Sequence, residues 1–398
     1  MSALRTGRSP SRPLYGTTVV AGIGQTPFYK RGKSPDSERK QILRAIVAAC
    51  TDAGIAPHDI DGFATYSDDR QNATYLMHEL GTRELRWSSM VEGGGGGGVP
   101  AAVGAAAAAI LTGQAEVVVV YRSVSEREMG RFNTAIESQH ATSHYTAHGI
   151  CVAAQMMALR TQRMLHTLGV SRDIMEGLVL ADYFHARSNP RATAYRNTLD
   201  AATYRAARWI AEPYRLYDCS RESDGAAAII VTAAQRAQHL RQAPVYLLAI
   251  AQGNPRHGGE TLDNSDDYDL AGFGSIAPRL WQQAGMSAAD VDVLQVYENF
   301  SGLGIAALLE HGFCTRDNIS EILRYENLIA PHGKLPTNTS GGCLAEGFIH
   351  GMEVLLEAVR QLRGESSNPV PGAEVCLVTG GPGSTYTSSA LFGTAATL

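Results

Sequence analysis

The stretch WSSMVEGGGGGGVPAAVGAAAAAILTGQAEVVVVYRS, residues 87–123, decides the fold class. Glycines at Gly93–Gly98 lead into the alanine-rich run Val99–Leu111, which is apolar but shorter than the roughly 20 residues of a membrane-spanning helix, so it predicts a buried helix. The segment Glu116–Ser123 is rich in β-branched residues without polar alternation, which predicts a strand covered on both faces. A glycine turn, a helix and a buried strand in this order are typical of a crossover unit in an α/β protein.

The rest of the chain continues this alternation of strands and helices. Strands are predicted at Thr17–Ile23, Asp59–Tyr66, Ser223–Thr232, from Val245 onward, at Val293–Tyr297 and, as the last strand, at Glu374–Thr379. Helices are predicted at Asp36–Ala53, Ala271–Ala284, Ser301–His311 and Phe348–Leu362. Because the order after residue 245 loosely echoes the order before it, we predict two similar halves, 16–244 and 245–398, behind a disordered tail, 1–15.

Residues 124–215 differ from both halves in being rich in His, Tyr and Arg and in lacking obvious strands. Helices are predicted at about Ile150–Leu168 and Ile174–Ser188, and we interpret the segment as an inserted loop domain that covers a substrate. His140, His144 and His148 have the four-residue spacing that would place them on one helix face. They would line the substrate pocket or face solvent, and no metal site is predicted because no further ligand can be identified.

Composition limits the function classes. The chain has 398 residues, of which 44% are hydrophobic and 18% charged, and a net charge of -5, which is typical of a globular protein and gives no electrostatic footprint for nucleic acid. The first residues do not resemble a secretory signal, and no stretch has the length and flanks of a membrane span. Six scattered cysteines favour a reducing cytoplasm, with neither disulfides nor zinc.

The glycine run at the start of the helix is the first candidate for chemistry. Exposed N–H groups at Gly94, Gly95 and Gly96, together with the helix dipole, would stabilise a developing negative charge on a thioester oxygen. Glycines would equally allow two helices or subunits to pack very close together. Both interpretations can hold at once.

The segment QVYENFSG, Gln295–Gly302, ends a buried strand, and strand ends in α/β sheets gather reactive side chains. Tyr297 would exchange a proton with a substrate hydroxyl if its neighbours lower its pKa. Asn299 would line the substrate pocket, although Glu298 or Asn299 would equally serve to cap the next helix.

Two glycine-punctuated segments complete the candidate site. The loop NTSGGCLAEGFIHG, residues 338–351, offers Cys343, Glu346 and His350. The turn VTGGPGST, residues 378–385, follows a predicted strand, and its amides at Gly381 and Gly383 would polarise a carbonyl.

Taken together, these segments resemble the thiolase superfamily, and most closely its sterol-carrier-protein-X-type or lipid-transfer thiolase-like branch. The resemblance spans essentially everything after residue 15 and rests on VAGIGQTPF (20–28), GGGGGGVPAAVGAAAAAI (93–110), DCSRESDGAAAIIV (218–231), VYENFSG (296–302), NTSGGCLAEGFIHGMEVLLEAVRQLRG (338–364) and LVTGGPGS (377–384). It implies a five-layered αβαβα fold of two similar halves, with the helix after the glycine run near a dimer axis. It also implies a coenzyme A thioester held under the inserted domain. Arg122, Arg187 and Arg191 could meet its phosphates, although arginines are mostly solvated surface residues.

The departures from the family pattern indicate the chemistry. The block that matches the thiolase nucleophilic cysteine, Met90–Gly98, has no cysteine, and neither has the C-terminal turn, Gly380–Gly383. Tyr297 stands where thiolases carry Asn or His, and Phe348 stands where they carry the histidine of Gly-His-Pro. A Claisen reaction needs a thiolate to hold the acyl group, so that reaction is not expected.

The steroid side-chain aldolases are the branch of this family that works without those groups. The resemblance therefore implies retro-aldol cleavage of a β-hydroxyacyl-CoA, from a steroid or another lipid side chain, into a ketone or aldehyde and a shorter acyl-CoA. Tyr297 matches the first tyrosine of that branch, but the second falls on Phe348, so Glu346, His350, Tyr386 or a water would serve instead. Phe348, His148, Cys343 and Asn299 are expected to line the pocket.

Coenzyme A is expected only as part of the substrate, with no bound cofactor. The resemblance also implies a homodimer and a small OB-fold, zinc-ribbon partner subunit that completes a heterotetramer. Two alternatives stay open at this stage. One is an acyltransferase or thiolase that uses a displaced cysteine, Cys343; the other is a non-catalytic acyl-CoA or lipid carrier, or a scaffold subunit.

Overall fold

The computed structural model describes residues 12–67, 69–92, 95–129, 143–256, 268–383 and 386–398. The strands are β1 Thr18–Gln25, β2 Tyr29–Lys30, β3 Gly62–Tyr66, β4 Trp87–Val91, β5 Val117–Val124, β6 Trp209–Ala211, β7 Tyr214–Arg215, β8 Ser223–Ala233, β9 Val245–Gly253, β10 Val293–Gln295, β11 Val375–Gly380 and β12 Thr387–Gly393. The helices are α1 Glu38–Ala53, α2 Ala73–Leu80, α3 Val99–Leu111, α4 Glu126–Met129, α5 Ser143–Ala147, α6 Ala153–Leu168, α7 Ile174–Ala186, α8 Ala201–Ala206, α9 Ala277–Ala284, α10 Ser301–Glu310, α11 Ile319–Ile322, α12 Tyr325–Leu328 and α13 Met352–Arg363. Gly94, His140 and most of the predicted tail lie outside the described residues.

One large mixed sheet organises the molecule, with the strand order β10-β11-β12-β9-β1-β8-β5-β3-β4. Its two wings meet at β1 and β9, which pair antiparallel with Val19 opposite Tyr246 and Val20 opposite Val245. The second wing begins with β9 at Val245, although the division of the chain into two halves at that residue stays a prediction.

The strands bury both of their faces, as the sequence predicted for β5. Val117, Val119 and Tyr121 pack with α1, whereas the alternate residues Val118 and Val120 pack into a central cluster with α3 and α13. This alternation follows from the two-residue period of a strand.

The second wing repeats the arrangement. Val293 and Cys376 face the central cluster, whereas Leu294 and Leu377 pack outward with α9 and α10. The layers are therefore α1, first wing, α3 with α13, second wing, and α9 with α10, which confirms the predicted five-layered αβαβα fold.

Helix α3 has the predicted bounds and lies in the middle of this stack. Its small side chains are required there because neighbouring layers approach it closely: a Cβ atom on Gly104 would lie 2.3 Å from Ile250 Cδ1 of β9. Both ends of helix α1 have residues typical of helix caps. At its N-terminus the Ser37 hydroxyl accepts a hydrogen bond from the Lys40 N–H, and at its C-terminus Gly54 ends the helix with a φ of 74°.

Several predicted elements differ from the structure. The strand predicted as the last is followed by β12, which inserts between β11 and β9. The helix predicted from Phe348 begins only at Met352, because His350 and Gly351 have positive φ angles of 55° and 91°. The helix predicted over Ala271–Ala284 is broken into a 3₁₀ turn, Phe273–Ser275, and α9.

The predicted inserted segment contains helices α4 to α8. It also holds the short hairpin β6–β7, whose strands the sequence pattern had not predicted. No helix within the described ranges combines the length and the apolar composition that crossing a bilayer requires.

Candidate active site

Tyr297 lies in the loop between β10 and α10. The strand was predicted to extend to Tyr297, but β10 ends two residues earlier, at Gln295. The ring is buried between two glycines: a Cβ atom on Gly96 would lie 2.2 Å from its Cε2 atom, and one on Gly351 would lie 2.9 Å from its Cδ2 atom. Its own N–H donates to Thr379 Oγ1 at 3.1 Å. Only glycine allows the backbone to approach the aromatic ring this closely.

Proton exchange by Tyr297 was predicted to need a lowered pKa, but the structure raises the pKa of this residue. Burial raises the pKa well above the usual tyrosine value, and the nearby Cys343 and Glu353 raise it further, against a hydrogen bond from the Gly96 backbone. The phenol is therefore the resting form of Tyr297. Any proton that it accepts must be matched by one that it releases.

The glycine run and the C-terminal glycine turn contact each other beside Tyr297. Gly95–Gly98 form a 3₁₀ turn at the start of α3, and a Cβ atom on Gly380 would lie 2.6 Å from the Gly96 carbonyl oxygen. Gly95 and Gly96 keep the predicted place beside the phenol, although close packing explains their glycines equally well. The predicted role of Gly94 cannot be placed, since it lies outside the described residues.

The two predicted amides of the C-terminal turn differ. Gly381 has a φ of 72° directly after β11 and stays a candidate. The Gly383 N–H donates to the Ala271 carbonyl at 2.8 Å, so this amide serves the fold, and we no longer assign it to a thioester oxygen.

Phe348 and His350 complete the aromatic group around Tyr297. The Phe348 ring centroid lies 5.9 Å from that of Tyr297 and 5.2 Å from that of His350. His350 is buried and adopts a φ of 55°, a conformation that is strained for a residue with a side chain. The Tyr66 hydroxyl donates to its carbonyl at 2.9 Å and helps to hold it there.

Arg122 was predicted to meet coenzyme A phosphates, but the structure buries it to 1% exposure within β5. Its Nη2 atom lies 2.7 Å from His350 Nδ1, and its Nη1 atom donates to the Tyr66 carbonyl at 2.8 Å. The sequence signal that could have revealed this residue is a single charge inside the apolar run VVVVYRSV, because an isolated buried charge is costly unless it is paired.

Cys343 lies next to Tyr297 but lacks the properties of a nucleophile. Its thiol is fully buried and donates to Glu353 Oε1 at 3.1 Å, while Glu353 accepts the N–H groups of Ile349 and Gly351. Burial raises the thiol pKa well above its usual value, and Glu298 and Glu353 raise it further. A thiolate is therefore disfavoured at the position that the acyltransferase alternative requires.

Iodoacetamide tests the reactivity of Cys343. Because alkylation needs an accessible thiolate, we expect the half-buried Cys151 to be modified in the native protein and Cys343 only after unfolding, as measured by peptide mass spectrometry. Rapid native labelling of Cys343 that is prevented by an acyl-CoA would contradict this assignment and favour the acyltransferase alternative.

Behind Cys343, two buried carboxyl groups meet without a cation beside them. Asp182 of α7 and Glu298 are both fully buried, and a negative charge on one would oppose a negative charge on the other, so one of them keeps its proton. Burial raises the pKa of Glu298 to about 8 and raises that of Asp182 well above its usual value. Gly342 leaves room for this pair, since a Cβ atom there would lie 1.9 Å from Glu298 Oε1.

This carboxyl pair predicts a pH-dependent stability. A carboxyl group whose pKa is higher in the folded protein binds its proton more tightly when folded. Its contribution is complete below the ordinary glutamate range and is lost as the pH rises through about 8, with a slope of at most about 1.4 kcal/mol per pH unit.

Urea unfolding at about pH 6 and about pH 8.5 measures this effect. As the pH rises from the lower to the higher value, the free energy of unfolding of the Glu298→Gln variant should fall less than that of the natural protein. Glu326→Gln, at an exposed glutamate, should behave like the natural protein. Equal pH sensitivity in all three proteins would remove the pair as its source.

Glu346, another candidate, belongs to a different buried cluster. Its Oε1 atom accepts from Asn189 at 3.2 Å, and burial raises its pKa to about 7 against the opposing charge of Arg360. These contacts tie Glu346 to Asn189 and to Arg360 of α13, and its role as the second proton-transfer group stays a prediction.

The remaining candidates are peripheral to Tyr297 in different ways. Asn299 does not cap helix α10. Its Oδ1 atom accepts a hydrogen bond from the Phe300 N–H, and its carbonyl oxygen accepts one from the Ser220 N–H. His148 is exposed just after α5, and Tyr386 is half-buried just before β12. Their roles at the site stay predictions.

A cleft of about 870 Å³ is lined by Phe348, whose ring packs against that of Tyr297. Its apolar wall contains Phe28, Val152, Ile210, Leu216, Tyr217 and Phe300. Basic residues Lys30, Arg31, Lys33, Arg208 and Arg221 also line it. Seven of its twenty lining residues belong to the predicted inserted segment, and the covering role of that segment stays a prediction.

Residues 256–392 match the thiolase C-terminal domain-like family. The chain is 37% identical to the 17-hydroxy-3-oxo-4-pregnene-20-carboxyl-CoA lyase of Mycobacterium tuberculosis, over 93% of this chain and 97% of that protein. It is 34% identical to a steroid side-chain-cleaving aldolase of Thermomonospora curvata, over 93% of this chain and 96% of that protein.

Solved structures also include an aldolase and a thiolase that are similar to this chain. A chain of the Ltp2-ChsH2(DUF35) aldolase superposes with a TM-score of 0.90 and 34% identity, covering 96% of this chain and 98% of that one. Human mitochondrial 3-ketoacyl-CoA thiolase superposes with a TM-score of 0.69 at 14% identity, over 96% of this chain and 100% of that one, which shows a shared fold alone.

Proposed function

Since this chain belongs to the thiolase-fold family of steroid side-chain-cleaving aldolases, we propose that it performs its reaction with Tyr297 as the proton-transfer group. It is a carbon–carbon lyase that cleaves a β-hydroxyacyl-CoA into a ketone or aldehyde and a shorter acyl-CoA. The observation that carries the residue assignment is a buried phenol beside Gly95 and Gly96, in a chain whose matching nucleophile block has no cysteine.

The proton balance of a retro-aldol reaction fits a single phenol. The β-hydroxyl loses one proton and the α-carbon gains one, so the net change is zero. In our proposal the Tyr297 oxygen receives the hydroxyl proton while its own proton passes to the α-carbon of the enolate. No free phenolate is needed, which suits a residue whose pKa is raised by burial.

Main-chain N–H groups would stabilise the enolate oxygen. Gly95 lies at the start of α3, where the helix dipole favours negative charge, and the Gly96 backbone hydrogen-bonds to the Tyr297 phenol beside it. His350 also lies near this site, since its ring contacts the Phe348 ring.

The Tyr297→Phe variant tests the assignment. Removing the hydroxyl leaves the packing of the ring but no group to transfer the proton, so we expect kcat for a β-hydroxyacyl-CoA to fall by about 10²-fold or more. Tyr75→Phe, at a tyrosine that is 58% exposed, should keep full activity. Full cleavage by Tyr297→Phe, measured as product acyl-CoA, would remove this proposal.

The cleft has both an apolar wall and basic residues, and this combination suits a coenzyme A thioester. Its apolar wall would hold the acyl group, and its basic residues would attract the phosphates. Lys30 and Lys33 are exposed and form no ion pair with a residue in the described ranges, whereas Arg31 pairs with Glu126 and Glu222.

Charge reversal at Lys33 separates phosphate binding from acyl binding. We expect Lys33→Glu to raise KM for a CoA thioester by about threefold to tenfold at low salt, because one attraction becomes a repulsion. KM for the matching N-acetylcysteamine thioester, which has no phosphate, should not change. Lys334→Glu, at a lysine outside the cleft, is the control; an equal effect on both thioesters would contradict the proposed role.

Assembly is also a proposal. Strand β4 lies at one end of the sheet order and exposes Met90 to 50%, and an unpaired strand edge favours pairing with another chain, which supports a homodimer. The similar aldolase carries two components in its name, which supports a partner subunit, here a small OB-fold, zinc-ribbon protein in a heterotetramer. Mass determination of the chain, alone and co-expressed with such a partner, tests both; a monomer under both conditions would contradict them.

A further inference from the structure

Arg122 is a buried charge beside the proposed site that the mechanism has not used. Its side chain is 1% exposed in β5 and is held from several directions. Nη1 donates to the Tyr66 carbonyl at 2.8 Å and lies 3.8 Å from the Asp69 carboxylate, while the guanidinium carbon lies 5.4 Å from the centre of the Tyr66 ring. The guanidinium therefore has a fixed position before it meets His350.

The contact between Arg122 and His350 determines where the imidazole carries its proton. A guanidinium has only donors, so at 2.7 Å from Nη2 the Nδ1 atom of His350 must accept. Nε2 then carries the only ring proton. Protonating Nδ1 as well would place two donors face to face, so the imidazolium form cannot exist while this contact holds.

The backbone around His350 is equally constrained. The Tyr66 hydroxyl donates to the His350 carbonyl, and Glu353 accepts the N–H groups of Ile349 and Gly351, the residues on either side. The strained φ of 55° at His350 persists because these contacts over-determine it. An imidazole so restrained is pre-organised for one orientation and one tautomer.

We propose that Arg122 is a positioning residue that holds His350, whose ring packs on Phe348 beside Tyr297, in the neutral form with its one ring proton on Nε2. A neutral imidazole cannot lose its only proton to carbon without becoming an anion, so His350 helps to shape the site and does not protonate the product. This inference rests on the proposed function and deepens it, because proton transfer then stays with Tyr297.

The tautomer can be observed without any activity. In protein labelled with ¹⁵N at histidine, a long-range ¹H–¹⁵N spectrum near neutral pH distinguishes the Nε2–H, Nδ1–H and doubly protonated forms, and His350→Gln identifies the signal. We expect the Nε2–H form alone. A His350 signal with the proton on Nδ1, or on both nitrogens, would overturn the proposal even if Tyr297→Phe is inactive.

Variants then separate positioning from simple stabilisation of the fold. Arg122→Met should yield a mixture of His350 tautomers and lower kcat by about 10-fold to 100-fold with little change in KM. Arg122→Lys, which keeps a donor-only group, should retain the Nε2–H signal and recover part of kcat. Arg363→Met, which removes an arginine whose side chain is equally buried at 1% exposure but which pairs with Asp52, should change neither.

A double-variant cycle completes the test. If Arg122 acts through His350, the Arg122→Met change should cost no further kcat in a His350→Gln background. Additive losses would show that Arg122 only supports the fold, and would overturn the proposal. Should Arg122→Met fail to fold, the spectrum of the natural protein and the Arg122→Lys variant still decide it.

Discussion

The close approach of the backbone to the Tyr297 ring is the constraint on which the rest of the structure depends. Gly96 of the glycine run and Gly351 of the following loop both come within distances that a Cβ atom would forbid. This contact ties the start of α3 in the central layer to the loop after β10 and to the start of α13. The same packing that completes the five-layered fold thereby buries the Tyr297 phenol next to Phe348, which lines the cleft.

Burial then decides the chemistry of each titratable group near that phenol. It raises the pKa values of Tyr297, Cys343 and Glu298, so these groups rest in their protonated forms. A protonated thiol between carboxyl groups is a poor nucleophile, whereas a protonated phenol can pass one proton on as it receives another. The environment that argues against acyl transfer therefore suits a proton-neutral cleavage. Among the described residues near the phenol, Arg122 supplies a fixed positive charge, which in our proposal orients the His350 imidazole.

Strong local signals made some elements predictable. The absence of alternation in β5 and the small residues of α3 fixed two central elements almost to the residue, because burial on every side leaves few other choices. Strand β12 was missed because its first residues, Thr387, Ser388 and Ser389, are polar. They are nevertheless fully buried, with hydrogen bonds such as that from Ser388 to the Gly97 carbonyl, which only the packed neighbours supply.

The order of residue types along the chain was enough to predict the family and the layered architecture. Which side chains meet was not predictable in this way, because it depends on how the chain folds. Folding tied Glu346 to Asn189, engaged the Gly383 amide with the Ala271 carbonyl and brought Arg122 to His350 across 228 residues of chain. Hydrogen bonds and desolvation depend on distances of a few ångströms in space, and a residue's position in the chain does not encode them.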